Sequence, residues 1–179
     1  MRILLFIICL TLFACIEKHP ASSNQTISQA IPPSTTSLRS EALKIIRDAY
    51  FATLITLDNN GIPKARIMEP FPPEADFTIW LATNPRSRKV REINNCPIIT
   101  LHYFDKKRLG YVSLYGRASL VNDADTKSKI WKDGWEKFYP DKDKDYLLIR
   151  FVPDSLELIS ITDNYTGNKN TWQPHVLRF

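Results

Sequence analysis

Short β-branched and aromatic segments, separated by turn-forming residues, run through most of this chain. Residues 50–57 form the first of them, a strong turn signal (Asp58-Asn59-Asn60-Gly61) follows, and residues 62–71 read as the returning strand of a hairpin. Further strands are predicted at 77–83, 98–104, 110–121, 146–152 and 156–162. Helical spacing predicts helices over 38–49, 84–94 and 123–139. Many antiparallel strands with a few helices indicate an α+β domain built around a barrel or sandwich.

The first 37 residues are not predicted to belong to that domain. Residues 3–13 are almost unbroken apolar sequence behind Met1-Arg2, which is too short to span a membrane and typical of a signal peptide. Residues 17–37 are rich in Ser, Thr, Gln, Asn and Pro and lack the aromatic side chains that a core requires. We therefore expect a signal over 1–14, a flexible tether over 15–37 and one domain over 38–179.

The end of the apolar run, Leu12-Phe13-Ala14-Cys15, resembles the lipobox of bacterial lipoproteins, although Phe13 departs from the usual small or β-branched residue. The resemblance implies that Cys15 becomes the first residue and carries acyl chains, which anchor a protein durably when there are several. The protein would then lie in the bacterial cell envelope, on the non-cytoplasmic side of a membrane. The alternative is an ordinary signal peptide whose cleavage site happens to contain a cysteine.

The predicted helix at 84–94 is basic and directly follows a strand that ends at Thr83. A helix N-terminus offers unpaired N–H groups and a positive dipole end, both of which suit a bound phosphate. Ser87 adds a hydroxyl, and Arg88 and Lys89 add positive charge to the first turns. The alternative is that these cations only form the solvent-facing side of an amphipathic helix.

Two neighbouring features support the anion-binding interpretation. Asn84 is a plausible N-cap of this helix, with Pro85 in its first turn. Arg66 would converge on the same place from the hairpin, on one strand face with Lys64 and Met68, because side chains alternate along a strand. The sequence leaves open which of the helix cations points inward.

The helix predicted at 123–139 carries Trp131, Trp135 and Phe138 along one face. Aromatic residues at helical spacing are usually core, since each buries a large apolar area. The other interpretation is that they form a wall over a bound ligand.

Other kinds of site receive little support. No metal site is expected from His19, His102, His175 and Cys96, because their spacing does not suit one. The acidic segment that begins at Asp141 resembles a calcium loop, but Tyr146 occupies the position that requires glycine. The excess of 24 Lys and Arg over 19 Asp and Glu is mild, and we expect no nucleic-acid binding. Motifs for a catalytic nucleophile or a dinucleotide are missing from the sequence.

Taken in order, several phrases resemble the pyridoxamine 5′-phosphate oxidase-like split barrels that bind flavin mononucleotide (FMN), particularly their general stress protein branch. The phrases are Tyr50-Phe51-Ala52-Thr53-Leu54, Ala65-Arg66-Ile67-Met68, Ile79-Trp80-Leu81-Ala82-Thr83-Asn84, Ser87-Arg88-Lys89-Val90-Arg91-Glu92-Ile93, Tyr111-Val112-Ser113 with Gly116, and Trp131 through Trp135 to Phe138-Tyr139-Pro140. The resemblance runs from about Leu38 to Ile161 and so covers nearly the whole domain. It implies a mostly antiparallel split β-barrel with a few peripheral helices.

The same resemblance implies a homodimer with FMN bound in grooves between the subunits. Main-chain groups of Arg66, Ile67 and Met68 would lie along the flavin ring. The flavin phosphate would be held by Thr83, Ser87, Arg88 and Lys89. Trp135 would approach the groove of the neighbouring subunit.

A bound flavin would carry the redox chemistry, while the protein would position it and tune its electronics. The leading hypothesis is therefore a flavin-dependent oxidoreductase that acts on an unknown small molecule. No side chain can be assigned as general acid or base, and a second basic cluster for the phosphate of pyridoxamine 5′-phosphate is missing from the sequence. A non-catalytic flavin- or haem-binding envelope lipoprotein is the alternative, and an envelope interaction domain with a vestigial groove is a third hypothesis.

Overall fold

A computed structural model of the protein describes residues 33–179. The predicted signal, Cys15 and most of the tether lie outside the described residues. Helix α1 (Thr35–Ala49) begins slightly before the predicted domain start, because the side chain of Ser34 caps it by accepting a hydrogen bond from the Ser37 N–H. Its buried face packs against the sheet and consists of Leu38, Glu41, Ala42, Ile45 and Ile46.

Seven antiparallel strands form the body of the described domain, as predicted for an α+β fold. They are β1 (Ala52–Leu57), β2 (Pro63–Met68), β3 (Ile79–Thr83), β4 (Ile98–Asp105), β5 (Gly110–Val121), β6 (Leu147–Ser160) and β7 (His175–Arg178). Hydrogen-bonded neighbours run in the order β2-β1-β4-β5-β6-β3, and β7 also pairs with β6. The outer edge of β6 is thus shared, because β3 pairs with its first half and β7 with its second half.

The first and last strands of this order meet and close the sheet into a barrel. An isolated bridge pairs Pro70 with Leu81, and the Phe71 N–H donates to the Trp80 carbonyl at 2.8 Å. Continued pairing of β2 with β3 would next place Met68 beside the end of β3, but the structure has no pairing there. The barrel is therefore split on one side of a single closing point.

The barrel interior is apolar and fully buried. Among its largest side chains are Leu54, Leu101, Leu114, Phe151 and Phe77, which are at most 1% exposed. Burying each such side chain contributes about 1.5–3 kcal/mol.

Strand β6 corrects the prediction of two separate strands at 146–152 and 156–162. Pro153 lies within this strand, where the pairing of β5 with β6 shifts register between Tyr115 and Gly116, and this irregularity accommodates the proline. The two backbones approach closely at this point. A Cβ added to Gly116 would lie 2.2 Å from the carbonyl oxygen of Val152.

The helix that follows β3 begins later than predicted. Helix α2 (Arg88–Asn95) has Ser87 as its N-cap, not Asn84. The Asn84 side chain accepts from the Arg86 N–H at 2.9 Å, and the Ser87 N–H bonds to the Asn84 carbonyl at 3.0 Å. Asn84 therefore directs a turn, and the helix starts after it.

The single helix predicted over 123–139 is wrong. The structure has helix α3 (Ala124–Lys129), a 3₁₀ turn (Trp135–Lys137) and a short helix α4 (Lys142–Asp145). Gly134 interrupts the segment with a φ of 83°, a left-handed conformation that no helix continues through.

Helix α1 is held against the barrel end by one arginine. Arg108, in the β4–β5 turn, places Nη1 2.6 Å from Asp48 Oδ2 on α1 and 2.5 Å from Asp105 Oδ2. Its Nε lies 3.1 Å from Asp163 Oδ2, in the turn after β6. Three segments far apart in sequence therefore depend on the same guanidinium.

Within residues 33–179, none of the helices has the length and apolar character needed to cross a membrane.

Candidate functional site

Hydroxyl and amine groups converge where β3 ends and α2 begins. Thr83 is the last residue of β3, and its Oγ1 lies 3.0 Å from Ser87 Oγ at the helix N-cap. Lys89 reaches back from the first turn of α2 and donates from Nζ to Thr83 Oγ1, also at 3.0 Å. The structure thus brings together three of the residues that the sequence predicts for anion binding, and Lys89 is the helix cation that turns toward them.

Lys89 has an unusual electrostatic position for a lysine. Its side chain is half-buried, and no carboxylate oxygen of the described residues lies within ion-pairing distance of Nζ. Burial, and next the positive charge of Arg66, lower the pKa of Lys89. An anion beside Nζ would reverse both effects, because it would replace lost solvation and offset the like charge.

A buried carboxylate organises the other two cations. Glu92 on α2 is 3% exposed, and its Oε2 accepts from Arg66 Nη2 at 2.8 Å. Its Oε1 lies 2.8 Å from Arg88 Nε, in an ion pair without the alignment of a hydrogen bond. The hydroxyl of Thr56, on β1, donates to Glu92 Oε2 at 2.5 Å and accepts from Arg66 Nη1 at 2.5 Å. Burial alone would raise the pKa of Glu92, but the bonds from Thr56 and Arg66 hold it below its usual range.

We call this set the cationic cluster: Arg66, Thr83, Ser87, Arg88, Lys89 and Glu92. Its three cations and one carboxylate leave two positive charges. The N-cap Ser87 makes no side-chain hydrogen bond to the first turn of α2, so its hydroxyl does not satisfy the N–H groups there. Net charge, hydroxyls and helix N–H groups together suit a doubly charged phosphate.

Thr56 and Glu92 were missed by the sequence reasoning. Glu92 stands four residues after Arg88, a spacing that suggests only a surface ion pair. Its neighbour Ile93 is buried, which was the available signal that this side of α2 faces inward. Thr56 showed no signal beyond its place in an apolar strand.

The three predicted residues of β2 separate by face. Arg66 and Met68 are partly buried and share one face with Lys64, as predicted, while Ile67 is 67% exposed on the outer face. Strand β2 pairs only with β1 along its length, so backbone groups on its other edge are unpaired beside the split. These groups are the ones that could contact a flat ligand lying along the strand.

Trp135 belongs to an aromatic cluster of the chain's own core. It is 7% exposed and packs in a second hydrophobic cluster with Trp131, Tyr139 and Tyr146, at ring-centroid distances of 5.8–6.2 Å. Phe138, predicted on the same face, is 61% exposed. Core packing therefore describes Trp135 within this chain, and a role toward a cofactor stays a prediction.

The outer face of the sheet exposes large apolar side chains in neighbouring strands. Phe104 on β4 is 60% exposed and stands opposite Tyr111 on β5, and Tyr115, which is 37% exposed, stands opposite Thr100. Ile67 lies on the same face, since it pairs with Thr53, which pairs in turn with His102 on β4. Several exposed apolar side chains on one sheet face make that face a candidate interaction site.

Comparison with known proteins identifies relatives of this domain. A family model described as "Pyridoxamine 5′-phosphate oxidase" matches residues 38–160. General stress protein 26 of Bacillus subtilis is 28% identical over 127 residues, which cover 69% of this chain and 89% of that protein. The crystal structure of General Stress Protein 26 from Bacillus anthracis is 26% identical, with a TM-score of 0.62 over 79% of this chain and 98% of that one.

Two more distant structures share the fold. A pyridoxamine 5′-phosphate oxidase-related, FMN binding protein from Nostoc punctiforme is 14% identical, with a TM-score of 0.56 and coverage of 82% of this chain and 97% of that one. A heme binding protein from Mycobacterium smegmatis is 16% identical, with a TM-score of 0.59 and coverage of 83% and 59%. The domain therefore has the split-barrel fold that the sequence predicts.

Proposed function

The chain belongs to the pyridoxamine 5′-phosphate oxidase family, and from this premise we propose that it binds FMN at the cationic cluster. The observation that carries the proposal is Lys89, a half-buried cation that faces two hydroxyls and has no carboxylate partner among the described residues. In this proposal Lys89, Ser87 and Thr83 contact the phosphate directly. Arg66 and Arg88 both pair with Glu92 and add positive charge near the phosphate, Arg88 from a more exposed position.

The flavin ring would extend from the phosphate along the split edge of β2. Those main-chain groups of residues 66–68 that point away from β1 are available for hydrogen bonds. Glu92 and Thr56 act as positioning residues, since they fix the guanidinium of Arg66 in one orientation. The relative from Nostoc punctiforme supports this proposal because it has the same fold and is described as FMN binding.

A bound flavin supplies hydride or electron transfer. We propose on this basis an oxidoreductase that acts on a small molecule, with the chain's own residues holding and orienting the cofactor. No titratable side chain at the cluster is free to move protons: Glu92 is buried under two cations, and Lys89 is committed to the anion. Substrate protons would therefore be exchanged with solvent or with the flavin.

A second candidate is a non-catalytic binder of flavin or haem. The relative from Mycobacterium smegmatis has this fold and is described as heme binding. His102 lies partly exposed on the outer face, and its Nδ1 bonds to Ser113 Oγ at 2.9 Å, which leaves Nε2 available to ligate iron. Burial lowers the pKa of His102 and so favours the neutral form that binds metals.

We further propose that the protein is a homodimer that packs through the outer face of the sheet. Ile67, Phe104 and Tyr115 would then be buried, which removes the cost of their exposure to water. Ile67 lies next to Arg66 on β2, so a second copy on this face would approach the proposed ring site.

The membrane anchor is also a proposal. Lipidation of Cys15 would hold the domain at an envelope membrane, as the apolar run and the cysteine at its end suggest. Incorporation of radiolabelled palmitate in a bacterial host would test it. A Cys15→Ser variant should not be labelled, and labelling of that variant would contradict the proposal.

The test of the cofactor is the absorption spectrum of the purified protein, with mass identification of any released ligand. Flavin absorbance and the mass of FMN are expected. A Soret band would favour the haem alternative. Colourless protein that does not take up added FMN would refute both and leave an envelope interaction domain with a vestigial groove.

A further inference from the structure

A cavity separate from the cationic cluster lies between α1 and the segment that follows β2. Its volume is about 620 Å³, within the range of small-molecule sites. Its walls are mainly apolar and include Leu43 and Ile46 of α1, with Pro70 and Phe71 on the opposite side. No residue of the cationic cluster lines it.

The floor of this cavity contains an unpaired polar group. Tyr103 on β4 lines the cavity, is 0% exposed, and its hydroxyl has no hydrogen-bond partner among the described residues. Buried polar atoms in folded proteins are nearly always paired, because leaving one unpaired costs its desolvation. Burial also raises the pKa of Tyr103, so the hydroxyl keeps its proton and can donate. A ligand that brings an acceptor oxygen would satisfy it.

The rim of the cavity combines a lysine with two aromatic rings, an arrangement that suits a flat aromatic ligand. Lys132 places its Nζ 4.9 Å from the ring centroid of Phe71 and 5.5 Å from that of Tyr50. The same Nζ donates to Glu69 Oε1 at 2.9 Å and to the Pro70 carbonyl at 3.0 Å, which fixes the side chain. A cation held among aromatic faces attracts a further aromatic ring.

We propose that this cavity binds a planar, uncharged aromatic molecule whose carbonyl oxygen accepts a hydrogen bond from Tyr103. The ring would lie between Ile46 and Phe71. An uncharged acceptor is preferred because a carboxylate at the floor would lose its hydration and gain only one hydroxyl. The inference does not rest on flavin binding, since the two sites share no residue.

The test uses 2-acetylnaphthalene, an aromatic ketone, and 2-ethylnaphthalene, which has a similar shape without the oxygen. Binding to the purified protein is followed by ligand-observed NMR. Saturable binding of the ketone is expected. Tyr103→Phe should weaken the ketone about tenfold, the value of one hydrogen bond, and leave 2-ethylnaphthalene unchanged. Because the hydroxyl is unpaired, this variant should melt no lower than the parent protein.

A second pair of variants locates the site. Leu43 is 40% exposed at the rim, so Leu43→Trp fills the cavity with little risk to folding and should abolish binding. Ser40→Trp, on an exposed position of α1 outside the lining, is the matched control and should bind normally. Lys89→Met should also bind normally. The proposal is overturned if the ketone shows no saturable binding, if Tyr103→Phe binds it as tightly as the parent protein, or if Leu43→Trp still binds it. It is also overturned if 2-naphthoate, the carboxylate of the same ring, binds more tightly than the ketone.

Discussion

Replacing Lys89 by Met should separate the stability of the protein from its affinity for FMN. Met keeps the length of the side chain and removes the charge. In the ligand-free protein Lys89 is close to Arg66 and half-buried, and its one described bond is to Thr83 Oγ1, which keeps Ser87 as a partner. We therefore expect the free energy of unfolding to stay within about 0.5 kcal/mol or to rise.

The expected effect on FMN is much larger. A hydrogen bond from a charged donor contributes about 1.5–3 kcal/mol, and each 1.4 kcal/mol corresponds to a tenfold change in affinity. Lys89→Met should thus weaken FMN binding roughly ten- to a hundredfold. Riboflavin has the same ring without the phosphate, and its affinity should not change.

The assay is a titration of both flavins against the purified protein, followed by quenching of flavin fluorescence, with a urea unfolding curve for each variant. Arg91→Met is the matched control, because Arg91 is exposed on the same helix outside the cationic cluster. Equal losses for FMN and riboflavin would show that Lys89 does not contact the phosphate. An unchanged FMN affinity would refute the assignment of the site.

Three further substitutions have expected outcomes. Arg108→Met should cost about 3–5 kcal/mol in urea unfolding, because it leaves the buried carboxylate of Asp105 without its cation; an unchanged midpoint would contradict the role of Arg108. Burial would raise the pKa of Asp105, but bonds from Arg108 lower it. The parent protein should therefore lose stability as the pH falls below about 4. Without Arg108 burial raises this pKa, so Arg108→Met should recover part of its lost stability as the pH falls. Gly116→Ala should cost roughly 1–3 kcal/mol or more by overpacking, since its Cβ would lie 2.2 Å from the Val152 carbonyl oxygen; an unchanged melting temperature would contradict this close approach. Ile67→Asp should convert a dimer to monomers in analytical ultracentrifugation, and an unchanged sedimentation coefficient would argue against the proposed interface.

Local sequence patterns predicted the elements whose structure depends on local forces. The hairpin of β1 and β2 follows from alternating side chains around Asp58 and Gly61, and α1 follows from its apolar spacing. The errors arose where contacts with residues distant in sequence determine the secondary structure. Trp131 and Trp135 have helical spacing, yet Tyr146 packs against both, and an aromatic cluster replaces a helix face.

The candidate site shows the same division. The residue types at Thr83, Ser87 and Lys89 indicated an anion site because a strand feeding a helix is visible in sequence. The orientation of the cations was not visible, since it depends on Glu92 and its bond to Thr56, which is 36 residues away. The sequence of a basic helix is the same whether its glutamate is buried or forms a surface ion pair, and only tertiary packing decides between the two.

The described residues close the barrel through one bridge, between Pro70 and Leu81, so the rigidity of this side of the barrel depends on what fills the gap beside it. On one side of that pair the edges of β2 and β3 carry main-chain donors and acceptors with no partner strand. Such edges are templates on which other chains can assemble. A ligand that occupies the gap would bridge the two edges and shield them, so the ligand-free protein is the form expected to aggregate.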